Sequence, residues 1–366
     1  MSRPVEGLAR GQPNLGCILS SSLTPLSLSL TLMDGMQGPH LCFPHLNSSC
    51  KKVLRPRSET ALLYTLMFSI SLITVLLNLL VIISISHFRQ LHTPSNTLLL
   101  SLAVSDLLVG LVVMPIEGSR YTESCWLLGK LICALSPYVS YCLLSGSVSN
   151  MVLISIDRYV AICDPLVYPY KITLTRVKIL ICFSWLCAVL YNAVILMGHL
   201  RHPDRYSSCH GECVVVISHI SGTVDLFLTF IAPCATMVFL YVRVFAVAVA
   251  QARAMQSHVA AVASATAVVR ARRSERKAAK TLGIVILVFL MCFCPYFYPS
   301  LAGEDTSNSL TYFAMLSWIM MLNSCMNPLI YAMCYPWFRK AVKYIITLKI
   351  LQPDSHNAII LSSDSK

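Results

Sequence analysis

Six polar side chains interrupt otherwise apolar stretches of the sequence, and together they could bind a small cation. They are Asn78, Asp106, Ser147, Asn323, Ser324 and Asn327. An ionisable group that faces lipid is costly, so such residues are expected to point into a helix bundle and to carry function. Because oxygen donors around a single carboxylate suit a hard cation, we expect an allosteric sodium site at Asp106, Ser147, Asn323, Ser324 and Asn327. The alternative is a buried hydrogen-bond network without an ion.

A second acid inside an apolar stretch, Asp225, precedes Pro233 by eight residues. Thr229 follows Asp225 at i+4 and shares its face of a helix. A carboxylate in such surroundings is costly unless it meets a cation or a network of donors, so the ammonium group of a ligand is a natural partner. Alternatively, Asp225 is protonated or pairs with an internal group such as His219.

An ion pair that opens and closes is the third candidate. Asp157-Arg158-Tyr159 ends one apolar stretch and Glu275 precedes another, so Arg158 and Glu275 could pair and hold two helices together. Opening would free a cleft for a partner, whereas an exposed pair would be worth less than about 1 kcal/mol. Prolines that kink helices would act as hinges. The predicted switch residues are Asp157, Arg158, Tyr159, Tyr241, Glu275, Asn327, Pro328 and Tyr331.

Seven apolar stretches are long enough to position these residues in a bilayer, which takes roughly 20 apolar residues per helix. They lie near 61–86, 97–116, 132–156, 177–198, 214–248, 281–303 and 310–334. The 366-residue chain is 56% hydrophobic and only 12% charged, with a mean hydropathy of +0.69. This predicts an all-α membrane protein, a seven-transmembrane helix bundle with a short amphipathic eighth helix.

The charge pattern predicts how the chain is oriented and divided. The loop after the fifth stretch carries eight Arg and Lys residues against one acid, Glu275, which marks it as cytoplasmic. Four basic residues within 51–57 disagree, but the sequon at Asn47 can be glycosylated only in the lumen. The net charge of +12 then reflects topology, and no nucleic-acid partner is expected. The expected parts are an extracellular segment at 1–60, of which 1–32 is disordered or a misread start, the bundle at 61–335, and the amphipathic helix and cytoplasmic tail at 336–366.

The order and spacing of these motifs resemble those of rhodopsin-like G-protein-coupled receptors over residues 40–350. The matching elements are Asn78, Leu102-Ala103-Val104-Ser105-Asp106, Asp157-Arg158-Tyr159, Trp185, Pro233, Pro295 and Asn327-Pro328-Leu329-Ile330-Tyr331. Residues 323–331, running into Tyr335-Pro336-Trp337-Phe338-Arg339-Lys340-Ala341, resemble the fingerprint of trace amine-associated receptors. Stretches 86–94, 156–166 and 275–283 agree with that family.

The resemblance implies detection of volatile or water-borne amines at the plasma membrane, usually by olfactory neurons. It implies stimulation of adenylyl cyclase through a stimulatory heterotrimeric G protein, with receptor kinase and arrestin as further partners at the tail. It also implies two outer disulfides, Cys133–Cys213 and Cys42–Cys209, with Cys50 as the main competitor of Cys42.

The sequence departs from the family where most members place the acid that binds the amine. Ser140, eighteen residues before Arg158, replaces that aspartate in span three, and Met321 replaces the tyrosine that usually steadies it. A subgroup of fish members is similar, with the acid in span five, so Asp225 is expected to bind the ammonium. The expected ligand contacts are Asp225, Ser140, Tyr141, Leu144, Thr229, Phe293, Tyr296, Phe297, Trp318, Met321 and Glu117. Glu117, at the outer end of span two, would favour a diamine, or else it is a solvated loop residue.

Other functions compete with amine sensing. A transporter or channel would be expected to contain inverted repeats, and the sequence has no such internal symmetry. A receptor for a lipid, a peptide or a neutral odorant would account for Ser140 and Met321. An enzyme is not expected, because the scattered Ser, His and Asp residues lack nucleophile-elbow or metal-ligand spacing.

Overall fold

The computed structural model describes residues 41–52, 56–123, 125–258, 266–302 and 310–361. Within these ranges the chain is helical, and its β structure is limited to two isolated bridges, Leu41 with Lys51 and Ser49 with His210. The segment 1–32, expected to be disordered or misread, lies outside the described residues.

Eight helices make up most of the described chain. They are α1 (Arg57–His87), α2 (Pro94–Leu108, Val109–Val113 and Met114–Thr122), α3 (Gly129–Cys163), α4 (Leu174–Ile195), α5 (His219–Asp225, Leu226–Ile231 and Ala232–His258), α6 (Thr266–Ala302), α7 (Leu310–Cys334) and α8 (Pro336–Ile346). The middle parts of α2 and α5 are π-helical turns. Short helical turns lie between or after them, at Arg89–Leu91, Tyr168–Lys171, Met197–Arg201, Lys349–Leu351 and Ser355–Asn357.

Helices α1 to α5 are long and apolar enough to cross a membrane. Helix α6 is already helical at Thr266, the first residue that the structure describes after His258, whereas the predicted apolar stretch starts at 281. The run of Ala, Arg and Lys between them favours a helix although it is not apolar. Its apolar part is Gly283–Pro299. Helix α5 begins at His219 rather than near 214, because Ser218 caps it and accepts a hydrogen bond from the Ser221 amide at 3.1 Å.

Helix α3 lies at the centre and packs against α2, α4, α5 and α6. The largest apolar cluster joins α3, α5 and α6 through Met151, Met237 and Phe289, all at most 2% exposed. Trp185 of α4 lies against Gly146 of α3, where an added Cβ would come within 2.8 Å of the indole ring. Glycine therefore permits the two helices to approach closely. Outward-facing side chains of α1, α4 and α5 are also apolar and largely exposed, as expected for contact with lipid.

Three disulfides join the connections at one end of the helices, the end that the sequence predicts to lie outside and that we call the outer end, and one predicted pairing is wrong. Cys133 is bonded to Cys213, but Cys42 is bonded to Cys125 and Cys50 to Cys209. The predicted Cys42–Cys209 bond is excluded because the backbone pairs differently. The Cys50 amide donates to the His210 carbonyl at 3.0 Å and the His210 amide to the Ser48 carbonyl at 2.7 Å, which places Cys50 beside Cys209. Asn47, the expected glycosylation site, is exposed in the same segment.

Helix α8 and the residues after it cover the inner end of α1. Trp337, Phe338 and Ala341 of α8 are buried in one cluster with Phe88. We call residues 347–361 the tail segment. Its Ile360 is 1% exposed in the same cluster, and the Ile360 and Leu361 amides donate to Gln90 Oε1 at 3.2 and 3.4 Å. The tail segment is therefore anchored against the turn that follows α1.

Candidate ligand-binding site

A cavity of about 290 Å³ lies among α2, α3, α5, α6 and α7 and contains most of the predicted ligand contacts. Ten of the eleven line it, namely Asp225, Ser140, Tyr141, Leu144, Thr229, Phe293, Tyr296, Phe297, Met321 and Glu117. Trp318 is not among the lining side chains. It packs instead beside Val109 and Met321 and lies close to Gly118. The cavity extends from Glu117 at its outer end to Ser147, Asn323 and Ser324 at its floor.

Asp225 enters the cavity from α5, immediately before the π-helical turn Leu226–Ile231, and is only 8% exposed. The Tyr191 hydroxyl of α4 donates to Asp225 Oδ1 at 3.1 Å. Thr229 donates to the backbone carbonyl of Asp225 at 2.6 Å, so it hydrogen-bonds within its own helix turn. In the described part of the chain, neither His219 nor any other cation forms an ion pair with this carboxylate. The carboxylate thus has a neutral donor and lacks a described counter-ion.

The opposite wall of the cavity offers no charge. The Ser140 hydroxyl donates to the Ser136 carbonyl of its own helix at 2.8 Å. Met321 is 7% exposed and packs with Val109, Val113 and Leu143. The two positions that depart from the family pattern therefore form a mostly apolar surface.

Aromatic rings form the α6 side. Phe293 is 1% exposed and stacks on Phe289, with ring centroids 4.2 Å apart. Phe297 stacks on Phe230 of α5 at 4.5 Å and meets Tyr296 edge to face at 5.0 Å. These contacts fix the rings beside Asp225, where aromatic faces can stabilise a cation.

The outer end of the cavity contains an ion pair. Glu117 is 6% exposed, so the alternative of a solvated loop residue is wrong. Its Oε2 lies 3.7 Å from Nε of Arg120, which also lines the cavity. Arg120 donates to Ser136 Oγ at 2.9 Å, and its guanidinium lies 5.2 Å from the centre of the Trp126 ring. The sequence interpretation missed Arg120, although its i+3 spacing from Glu117 on a helix was a usable signal.

The floor of the cavity adjoins the predicted sodium site. Asp106 is fully buried, and Asn327 Nδ2 donates to its Oδ2 at 2.8 Å. Ser147 Oγ donates to the other carboxylate oxygen at 3.4 Å. The Oδ1 atoms of Asn323 and Asn327 are buried and have no hydrogen-bond partner among the described residues. Buried oxygens without donors beside a carboxylate fit the ligand preference of a hard cation.

At the inner end of α3, Arg158 and Asp157 belong to one hydrogen-bond network. Arg158 Nε donates to Asp157 Oδ2 at 2.9 Å, and Arg158 also contacts Ser95. Ser95 donates to Asp157 Oδ2 at 2.8 Å and the Tyr168 hydroxyl to Oδ1 at 2.9 Å. Burial raises the pKa of the Tyr168 phenol, which keeps it protonated and able to donate. The side chain of Glu275, the predicted partner of Arg158, lies outside the described residues.

The other predicted switch residues make separate contacts. Tyr331 is 2% exposed, with its ring 6.0 Å from that of Tyr335, and Tyr159 packs beside Val244 of α5. Tyr241 lies so close to Gly283 of α6 that an added Cβ would overlap its hydroxyl. Asn327 contacts Asp106, as described above, and Pro328 lies within α7.

The chain is similar to known receptors over most of its length. Residues 77–331 match the family described as "7 transmembrane receptor (rhodopsin family)". The chain is 39% identical over 327 residues to trace amine-associated receptor 13c of Danio rerio, covering 86% of this chain and 94% of that protein. It is 38% identical over 326 residues to trace amine-associated receptor 1 of Mus musculus, which covers 86% of this chain and 98% of that protein. It is 40% identical over 324 residues to trace amine-associated receptor 7c of Rattus norvegicus, which covers 86% of this chain and 90% of that protein.

Proposed function

Because this chain belongs to the rhodopsin family of seven-transmembrane receptors, and within it to the trace amine-associated receptors, we propose that an amine bound at Asp225 activates it. Membership makes the chain a multi-pass receptor of the plasma membrane rather than an enzyme, and it implies an amine ligand and a heterotrimeric G protein as partners. The proposal adds the position of the amine, a stimulatory G protein that raises cAMP, and a role in olfaction.

The proposed topology has seven crossings, α1 to α7 within residues 61–335. The amino-terminal segment 1–60 lies outside, with Asn47 glycosylated, and α8 with the tail at 336–366 lies on the cytoplasmic face. The lengths and apolarity of α1 to α5 support this arrangement. So do the basic loop between α5 and α6 and the three disulfides at the opposite end.

The surroundings of the Asp225 carboxylate are the main support for the proposed ligand position. Asp225 is 8% exposed, lines the cavity, and accepts a hydrogen bond from the neutral Tyr191. A buried charge is costly unless it is paired. The ammonium group of a ligand would therefore supply the counter-ion that the described side chains do not provide. Stacked rings at Phe297 and Phe293 lie along the same cavity and would add about 0.5–2 kcal/mol through cation–π attraction.

The proposed signal passes from this cavity to the network at Arg158. The cavity floor at Ser147, Asn323 and Ser324 adjoins Asp106, where these side chains and Asn327 would hold a sodium ion. In the resting state Arg158 would pair with Glu275 of α6 as well as with Asp157. An amine would favour a state in which Arg158 leaves both acids and the inner ends of α3 and α6 separate. The opened cleft would bind the G protein, and the serines of the tail would be substrates of a receptor kinase before arrestin binds.

Removal of the Asp225 charge tests the ligand position. Amine-evoked cAMP is measured in cells that express wild type or Asp225→Asn at equal surface level. Loss of one partner of a buried charge pair costs about 3 kcal/mol, so we expect potency to fall roughly 100-fold.

Two variants serve as controls. Asp204→Asn makes the same change at a half-exposed outer residue paired with Lys130 and should respond as wild type. Tyr191→Phe keeps the carboxylate and removes only its neutral donor, so potency should change less than about tenfold. An undiminished response of Asp225→Asn would remove this residue from recognition, and activation by neutral odorants alone would favour a non-amine ligand.

A further inference from the structure

The outer end of the cavity carries a positive charge that an amine receptor does not need for binding an ammonium group. Among the described residues that line the cavity, Glu117, Arg120 and Asp225 are the charged ones. Glu117 and Arg120 lie 3.7 Å apart, whereas Asp225 has no described counter-ion. When all three are ionised, the cavity has a net charge of minus one. This balance suits one ligand cation.

Arg120 is fixed in place by several groups at once. Its guanidinium donates to Ser136 of α3 at 2.9 Å and to Cys213 Sγ at 3.7 Å, and it lies over Trp126. These partners belong to three separate parts of the chain, so the guanidinium cannot leave Glu117 without losing contacts to all of them. Arginine also keeps its charge at any physiological pH. A second ammonium near Glu117 would therefore lie beside a fixed positive charge.

One donor of Arg120 is left without an acceptor among the described residues. Its Nε is buried and makes no hydrogen bond among the described residues, since Glu117 Oε2 is too distant at 3.7 Å. A neutral oxygen on a ligand could accept from this group without competing for charge.

We propose that Arg120 is a specificity-determining residue that restricts the receptor to amines with a single ammonium group, preferably with a neutral acceptor oxygen at the far end. Glu117 is then a partner of Arg120 and not a second ammonium site. The inference rests on the proposed function, because it takes the single ammonium to lie at Asp225.

The test compares ligands of equal length within each receptor variant. Cells expressing the full chain are titrated with straight-chain monoamines, amino alcohols and diamines of four to eight carbons, and cAMP is measured. We expect wild type to respond to diamines at concentrations at least roughly 30-fold higher than to matched monoamines, because like charges placed together cost several kcal/mol. Amino alcohols should be at least as potent as the monoamines.

Two substitutions at position 120 separate charge from structure. Arg120→Gln removes the positive charge and frees Glu117, so the diamine-to-monoamine ratio of half-maximal concentrations should fall about tenfold or more. Arg120→Lys keeps the charge and should keep the ratio. The double variant Arg120→Gln/Glu117→Gln removes both charges and should restore the rejection of diamines. If Arg120→Gln does not reach the surface, Glu117→Gln leaves Arg120 uncompensated and should weaken diamines more than monoamines.

The proposal is overturned if wild type responds equally to diamines and monoamines, or if Arg120→Gln leaves the ratio unchanged. Failure of the proposed function gives a different result. If Asp225→Asn still responds to monoamines as wild type does, the ammonium does not lie at Asp225. This conclusion holds for any value of the diamine-to-monoamine ratio. If Asp225→Asn loses the response while the wild-type ratio is near one, only the role of Arg120 is wrong.

Discussion

The outer and inner halves of the helical assembly both bury an aspartate side chain, but they surround it with different partners. At the inner end, Asp157 meets Arg158, Ser95 and Tyr168, so the carboxylate has a cation and two neutral donors from its own chain. At the outer end, Asp225 receives a hydrogen bond from Tyr191, and no described cation pairs with it. The inner network is complete without a ligand, whereas the outer site is not. Under the proposed function, the binding energy of the amine therefore enters at the outer end, and activation breaks the inner contacts.

Moving the carboxylate from α5 to α3 tests whether amine binding needs a carboxylate at position 225 or only a carboxylate in the cavity. In the Asp225→Asn background, Ser140→Asp places a carboxylate on α3 across the same cavity. Because a buried charge pair is worth about 3 kcal/mol, we expect this change to recover at least about tenfold of the roughly 100-fold loss in potency for short monoamines, measured as cAMP. Ser140→Asn in the same background is the uncharged control. Equal responses of the two double variants would show that a carboxylate at position 140 cannot replace the carboxylate at position 225 in amine binding.

The proposed sodium site at Asp106 should oppose amine binding. An ion at Asp106 would favour the arrangement in which Asn327 and Ser147 surround it, so its removal should favour the active state. In membranes from the expressing cells, we expect replacement of sodium by potassium at constant ionic strength to raise amine potency roughly fivefold in wild type. Asp106→Asn should be insensitive to this replacement. A wild-type potency that is independent of sodium would contradict the ion site.

Loss of one neutral donor in the inner network should raise basal signalling without changing where the amine binds. Tyr168→Phe removes the hydrogen bond to Asp157 Oδ1, which is worth about 1 kcal/mol. We expect basal cAMP to rise roughly threefold and the potency order of amines to stay the same.

Tyr170→Phe provides the matched control for this variant. It makes the same substitution on the same short helix at a residue that is 79% exposed. An unchanged basal level in Tyr168→Phe, or an equal rise in Tyr170→Phe, would contradict the proposed role of the Asp157 network.

Helix positions and cavity-facing residues were largely predictable, because helical periodicity and motif spacing determine which faces of a helix point inward. Asp225, Thr229 and Glu117 follow from their positions in the apolar stretches, whereas the other seven predicted residues that line the cavity follow from the resemblance to the receptor family. Contacts between distant segments were not predictable in the same way. Tyr191 lies on α4, 34 residues before Asp225, and no local pattern marks it as the donor. The choice of Cys50 over Cys42 depends on the pairing of Ser49 with His210, which only the folded outer segments define.

The anchored tail segment matters for how such a receptor is measured. Ile360 is buried beside α1 and α8, and its amide is held by Gln90. Six residues would separate this buried side chain from a fluorescent or luminescent reporter fused after Lys366. Its signal would then depend on whether the tail stays bound as well as on how many receptors are present. An energy-transfer pair with one label at that end and the other near Gln90 would report release of the tail in living cells.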